Sequence, residues 1–177
     1  TDNGYDASIF GTNRWTAIDG GKFDFPNTNN DTDAIFLDAD AAQVTGASFT
    51  LEFWLQPYSS GTRYFSSMSN GSNHNYKILQ QNPSNLAKYN SSGSINYSNR
   101  EYLQFVLVRD GSNTGRLYKN GQFIMNVSST RLINGVADGG WTLNQEQDSL
   151  GGGFASNRNF RGAFMAVMLY DRALTQT

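Results

Sequence analysis

The stretch Leu143–Phe154 contains the residues of this chain whose types and spacing best suit metal chemistry. It carries carboxylates at Glu146 and Asp148, and a run of glycines follows at 151–153. Calcium is a hard cation that prefers oxygen ligands, so two carboxylates and several carbonyls close together on a glycine-turned loop suit it. The alternative is a plain turn in which the carboxylates accept backbone N–H bonds. The residues alone leave both interpretations open.

The single histidine, His74, lies in a loop rich in Ser, Asn and Gly. It could bind a metal, act as a base or contact a sugar, but an isolated histidine in such a loop is most often simply solvated. One histidine and no cysteine are too few ligands for a zinc site. No Gly-x-Ser-x-Gly motif accompanies the histidine, so a serine nucleophile is not indicated. This inventory predicts that the protein is not an enzyme.

The three tryptophans, Trp15, Trp54 and Trp141, are further candidates for binding. Each could stack against a sugar ring, but tryptophan in a β-sandwich more often lies in the core. For Trp54, which lies within an apolar strand pattern, the core is the favoured interpretation.

The composition predicts the elements that must position these residues. The chain has 177 residues, 38% hydrophobic and 14% aromatic, with a charged share of 16% and abundant Gly, Asn and Ser. Turn-forming residues every eight to twelve positions are typical of many short strands. The net charge of −2, without a Lys/Arg cluster, excludes nucleic acid as a partner, and no apolar run is long enough for membrane insertion.

Alternating patterns predict the strands that form the core. In 48–56, Phe49, Leu51, Phe53 and Leu55 alternate with more polar residues, and 101–110 alternates in the same way. Further strands are expected at the ranges 21–25, 34–37, 63–67, 76–80, 93–97 and 160–170. Asn120-Gly121 predicts a type I′ hairpin turn, and 171–174 is expected to begin a helical turn. The prediction is an all-β, two-sheet antiparallel jelly-roll sandwich forming one domain over 1–177, which we expect to be a piece of a longer protein.

Three segments in order carry a resemblance to a known family. Phe49–Pro57, the strand 101–110 leading into Leu117–Gly121, and the closing stretch Phe160–Leu174 resemble the laminin-G and pentraxin-like domains of the concanavalin A-like group. The resemblance covers nearly the whole chain and implies the jelly-roll fold.

The stretch Leu143–Phe154 resembles the pentraxin calcium loop, and the resemblance implies particular ligands. Glu146 and Asp148 would supply carboxylate oxygens, Gln147 its backbone carbonyl, and Asn73 in a distant loop would complete the coordination. The positions of a second calcium are occupied by Ala155 and Arg158, so we expect one Ca²⁺ at most. The residues expected to contact a bound ligand are His74, Asn75 and Arg158. Laminarinase-type hydrolases on this fold carry a third acid where this chain has Leu or Gly, so the resemblance also implies a non-catalytic protein.

Two functions remain open at this level. The first is a carbohydrate- or cell-surface-recognition module, extracellular or on a cell or virion surface, with calcium assisting at the rim loops and a glycan or surface protein as partner. The second is a structural module of a virion decoration or fibre, or of a bacterial adhesin, which assembles with other subunits. A contiguous apolar patch would favour assembly, and a polar surface edged with aromatic residues would favour a glycan.

Overall fold

The computed structural model describes residues 7–10, 14–16, 21–25, 34–37, 48–58, 63–68, 76–82, 85–87, 94–111, 114–128, 141–144 and 159–175. Within these ranges the regular elements are fourteen β-strands in two sheets, and every strand pair is antiparallel. The prediction of an all-β, two-sheet antiparallel sandwich is therefore confirmed. No helix in the described ranges has the length and hydropathy needed to span a membrane.

The first sheet contains seven strands in the spatial order β1-β4-β13-β6-β7-β8-β9. Its strands are β1 (Ala7–Phe10), β4 (Ala34–Leu37), β6 (Arg63–Met68), β7 (Tyr76–Asn82), β8 (Asn85–Ala87), β9 (Ser94–Asn96) and β13 (Trp141–Leu143). Three of them, β1, β8 and β13, were not predicted, because each has only three or four residues and shows no readable alternation.

The second sheet also contains seven strands, in the order β12-β11-β10-β5-β14-β3-β2. Its strands are β2 (Arg14–Thr16), β3 (Lys22–Phe25), β5 (Ser48–Pro57), β10 (Leu103–Asp110), β11 (Thr114–Lys119), β12 (Gln122–Ser128) and β14 (Gly162–Tyr170). Long β5 lies at the centre, between β10 and β14. The short strand β2 was the one missed in this sheet.

The core lies between the two sheets. Alternate residues of β5 and β10 supply its second-sheet side, with Phe49, Leu51, Phe53 and Leu55 fully buried. On the opposite side Trp141 is fully buried, and its indole Nε1 donates a 2.9 Å hydrogen bond to Ser66 Oγ. That bond satisfies the polar atom that a buried indole carries into an apolar environment. Trp141 is therefore a core residue and unable to stack on a ligand.

The β11–β12 hairpin confirms the turn predicted from Asn120-Gly121. Asn120 has φ of 48° and Gly121 has φ of 76°, the left-handed values that a type I′ turn needs at both positions. Asn120 also bonds the neighbouring strand: its N donates to Gln104 O and its Oδ1 accepts from Gln104 N, both at 2.9 Å. The turn is thereby fixed to β10.

The expected helical turn at 171–174 is absent from the structure. This segment follows β14 without helical hydrogen bonding, and Thr50 of β5 holds it by two bonds. Thr50 Oγ1 donates to Arg172 O and accepts from Leu174 N, both at 2.9 Å. The prediction was wrong because a buried hydroxyl from a strand far away in sequence supplies the partners that a helical turn would have supplied locally.

Candidate functional site

The residues predicted to bind calcium or a ligand lie outside the described residues. They are Asn73, His74, Asn75, Glu146, Gln147, Asp148 and Arg158. The calcium site at the rim loops thus stays a prediction. Within the part of the chain that the structure describes, no three His, Cys, Asp or Glu side chains cluster so as to hold a metal.

The outer face of the second sheet, which we define as the side carrying Thr50, Glu52, Trp54 and Gln56 of β5, points away from the core. It carries two large exposed side chains: Trp54 is 39% exposed and Phe123 is 52% exposed. The expectation that Trp54 lies in the core was wrong. Trp54 occupies an outward position of an alternating strand, and alternation decides its side of the sheet whatever its hydrophobicity.

A row of directly opposed residues crosses five strands of this face. In the order of the strands, the row is Met168 on β14, Glu52 on β5, Val106 on β10, Tyr118 on β11 and Phe123 on β12. At about 4.8 Å between strands the row is roughly 19 Å long. The Tyr118 and Phe123 rings meet edge to face at a centroid distance of 5.8 Å. The row therefore has a carboxylate near one end and an aromatic pair at the other.

Two β-bulges shape this face. On β12 the register shifts so that Tyr118 opposes Phe123 while Leu117 opposes Met125, which makes Ile124 the additional residue. On β14 a second shift makes Met165 the additional residue and sets Ala166, instead of a methionine, opposite Trp54. Bulges re-aim side chains. Here the first places Phe123 on the outer face beside Tyr118, and the second leaves a small neighbour beside the indole.

A hydrogen-bonded triad lies at the centre of the outer face. Glu52 Oε1 accepts from Trp54 Nε1 at 2.6 Å and from Gln104 Nε2 at 2.7 Å. The indole N–H therefore ties the Trp54 ring to the residue two positions earlier on β5. Because Asn120 fixes the backbone of Gln104 on the other side, all three side chains are held before any ligand arrives.

A pocket of about 190 Å³ opens on this face next to the triad. Its lining residues are Glu52, Gln104, Val106, Val108, Tyr118, Gly121, Leu174 and Thr175. The segment that Thr50 holds thus supplies one wall, through Leu174 and Thr175. The lining is mainly apolar with a few fixed polar groups, which is the usual composition of a small-molecule site.

A second polar cluster surrounds Tyr58, at the end of β5. Lys22 Nζ donates to Tyr58 Oη at 3.3 Å and lies 3.9 Å from Asp24 Oδ2. The Arg100 guanidinium lies 5.5 Å from the centre of the Tyr58 ring. Burial, followed by the hydrogen bond to Asp24, raises the pKa of Tyr58 above its ordinary value. The phenol is therefore a neutral donor at physiological pH.

The arrangement on the outer face is suited to binding. The pocket is lined by a single carboxylate, Glu52, whereas glycoside hydrolysis requires two carboxyl groups flanking the scissile bond. The exposed aromatic rings and the acceptor oxygens of the triad can instead contact the apolar faces and the hydroxyl groups of a bound molecule.

Sequence reasoning missed this site. Its residues, Glu52, Gln104, Tyr118 and Phe123, come from three parts of the chain, and the register of four strands brings them together. One signal was readable: Glu52 and Trp54 occupy the outward positions of a strand whose inward positions are all apolar. An exposed tryptophan beside a carboxylate on such a face is the feature to look for.

A laminin-G model of the concanavalin A-like lectin/glucanases superfamily matches residues 28–177. Since this match spans most of the chain, the protein belongs to that family. No curated protein matches the sequence significantly.

Solved structures with the same fold include toxin binding domains and a pentraxin. The binding domain of botulinum neurotoxin DC in complex with SialylT superimposes with a TM-score of 0.66 at 14% identity, over 97% of this chain and 44% of that one. Botulinum neurotoxin type C, whose cell entry depends on two ganglioside molecules, gives 0.60 at 14% identity over 97% and 44%. The native heptameric SAP-like pentraxin from Limulus polyphemus gives 0.54 at 19% identity over 73% and 66%. The chain thus spans less than half the length of the toxin domains, and these likenesses concern the fold.

Proposed function

We propose that this protein is a glycan-binding module whose ligand lies along the outer face of the second sheet. The observation that carries the proposal is the row from Glu52 to Phe123, with the fixed triad and the pocket beside it, on a face that also exposes the Trp54 ring.

The chemistry of the row matches the two kinds of surface on a sugar. A pyranose ring has an apolar face of C–H groups and an edge of hydroxyls. Trp54, Tyr118 and Phe123 offer flat aromatic surface with little conformational freedom to lose. Glu52 within the row and Gln104 beside it offer acceptors, and the bond between them already fixes their positions, which lowers the entropic cost of binding.

The related structures support a recognition role at a surface. The binding domain of botulinum neurotoxin DC, which has this fold, is found in complex with SialylT and also in complex with rat synaptotagmin II, and cell entry of botulinum neurotoxin type C depends on gangliosides. The toxin domains are more than twice as long as this chain, so their ligands serve here as analogies. They support a glycan or a surface protein as partner and a location outside the cell, on a cell surface or on a virion.

Calcium is a separate part of the proposal. One Ca²⁺ at most would be held by Glu146, Gln147, Asp148 and Asn73, away from the outer-face triad in sequence. Addition of calcium to chelator-treated protein is expected to raise the melting temperature, as linkage requires for a ligand of the folded state. Glu146→Ala or Asp148→Ala should abolish that rise, and an unchanged rise would remove both residues from the site.

The experiment that tests the proposed function is a glycan array followed by calorimetric titration of the best ligand. Trp54→Ala and Phe123→Ala are expected to weaken binding by about tenfold or more, the effect of removing a central binding side chain. Gln122→Ala is the matched control, because Gln122 is an exposed neighbour of Phe123 that pairs with Lys119 instead of Tyr118. A blank array, with and without calcium, would contradict the proposal and favour the structural module of a virion or adhesin.

A further inference from the structure

Glu52 and Gln104 each leave one acceptor oxygen available in the pocket. Both hydrogen bonds to Glu52 reach Oε1, so Oε2 accepts nothing from the described residues. A carboxylate can only accept, so the Gln104 amide must turn Nε2 toward it. That orientation leaves Gln104 Oε1 as a second acceptor without a partner in the described ranges. Gln104 Nε2 keeps its second N–H, so these two side chains offer two acceptor oxygens and one donor. A ligand group with several donors complements the two oxygens.

The charge of Glu52 is also unbalanced within the described part of the chain. Three other described carboxylates form ion pairs, Asp24 with Lys22, Asp110 with Arg116 and Glu101 with Lys119. No lysine or arginine of the described ranges makes an ion pair with Glu52. A cation from outside is therefore the partner that the pocket lacks.

We propose, on the basis of the glycan-binding function proposed above, that the pocket selects a sugar with a free, protonated amine, such as unacetylated glucosamine. An ammonium group carries three N–H donors and no acceptor, which suits the two acceptor oxygens. Tyr118 lines the same pocket, and an aromatic ring attracts a nearby cation through its π face. Acetylation removes the charge and two of the donors, so N-acetylglucosamine fits the pocket less well.

The triad explains why the preference for a free amine depends on Glu52 and not on the other residues of the outer face. The aromatic rings contact any pyranose, with or without an amine. Glu52 Oε2 distinguishes the two sugars, while Oε1 is already occupied by Trp54 and Gln104. A lysine side chain of a protein partner carries the same ammonium group. Beyond the pocket, however, the row ends in the aromatic pair of Tyr118 and Phe123, which suits a further sugar ring better than a single flexible side chain.

The test compares β-linked oligomers of glucosamine and of N-acetylglucosamine, of equal length, by calorimetric titration at low salt in mildly acidic buffer, where the weakly basic sugar amines are protonated. Wild-type protein is expected to bind the glucosamine oligomer about tenfold to a hundredfold more tightly, the range for hydrogen bonds to a charged group. Glu52→Gln keeps an oxygen for the bonds from Trp54 and Gln104, and it should bind both oligomers with similar affinity. Glu101→Gln is the matched control, because it removes the same charge outside the pocket and should keep the preference.

Each other outcome is decisive. Equal binding of the two oligomers by the wild type, or a preference that survives in Glu52→Gln, overturns the amine proposal while the glycan-binding function stands. If the protein binds another glycan of the array but neither oligomer, the amine proposal is likewise overturned and the glycan-binding function stands. Binding of a short lysine peptide in a Glu52-dependent manner, with no binding of glucosamine, overturns it in favour of a protein partner. If no glycan binds at all, the proposed function itself fails.

Discussion

The two faces of β5 are built from alternate residues of one strand, yet they have different roles. The inward side chains Phe49, Leu51, Phe53 and Leu55 are completely buried in the core. The outward residues Glu52 and Trp54 form a hydrogen-bonded pair beside an open pocket. Packing therefore constrains one face tightly and the other hardly at all. Substitutions at adjacent positions of this strand should therefore affect stability and recognition separately.

The largest expected effect comes from comparing Phe53→Ala with Trp54→Ala. Phe53 is fully buried and packs against Phe164 at a centroid distance of 6.3 Å, so its truncation should cost about 3–5 kcal/mol of stability. Trp54→Ala removes a partly exposed ring and should cost about 1 kcal/mol. Urea denaturation measures both. Among folded molecules, Trp54→Ala should lose more glycan affinity than Phe53→Ala does. Equal losses of stability in the two variants would contradict the division of roles between the two faces.

Thr50 is an exception among the outward residues of β5, because it points outward and is still fully buried. The segment containing Arg172 and Leu174 covers it and lines the pocket wall. Thr50→Val should lose about 1–2 kcal/mol of stability by removing two hydrogen bonds, and glycan affinity should fall as the wall detaches. Thr50→Ser keeps the hydroxyl and should retain the affinity. If Thr50→Val binds like the wild type, the C-terminal segment is not part of the site.

Much of the fold was readable from the sequence, for a physical reason that the same comparison supplies. Burial of one face imposes a period of two, and that period located β5 and β10. The tolerance of Asn and Gly for positive φ located the Asn120-Gly121 turn between β11 and β12. Strands of three or four residues, such as β13, leave no such period to read. The segment at 171–174 was misread because its partner, Thr50, lies 122 positions from Arg172 in sequence.

The outer-face site was not predictable in the same way. Nothing in the local pattern states that Tyr118 opposes both Val106 and Phe123, since this depends on the register of three strands and on a bulge at Ile124. The residues that sequence reasoning did select, in the rim loops, were chosen by ligand chemistry and resemblance. Long-range register brings the pocket residues together, and no alternation encodes it.

Substitution of Gly121 tests whether a side chain at this position would block the pocket or would only strain the backbone. Its φ is 76°, and a Cβ added there would meet nothing within 4 Å. Gly121→Ala should therefore lower stability by about 1–2 kcal/mol through the left-handed conformation alone, without blocking the pocket. Thermal denaturation and glycan titration check the two halves of this expectation. A loss of affinity without a loss of stability would mean that the added methyl group obstructs the ligand.

The smallest expected effect concerns Glu101, which lies outside both the core and the pocket. Burial raises its pKa, but the Ser98 N–H at 2.8 Å and the Lys119 ammonium at 3.2 Å outweigh this, so the pKa is lowered from its ordinary value of 4.5. Because the folded pKa is depressed, the unfolded chain takes up the proton first as the pH falls. The contribution to stability is complete above about pH 4.5 and disappears as the pH falls through the folded pKa.

Glu101 is partly exposed, so solvent screening should keep this contribution below about 1 kcal/mol. Urea denaturation from about pH 6 to about pH 3 should show a slightly steeper loss of stability for the wild type than for Glu101→Gln. High salt should reduce the difference further, since the Lys119 pair is open to counterions. Superimposed pH curves for the two proteins would mean that the ion pair adds nothing. A contribution as large as that of Phe53 would mean that surface charge, and not the inner face of β5, holds this sheet together.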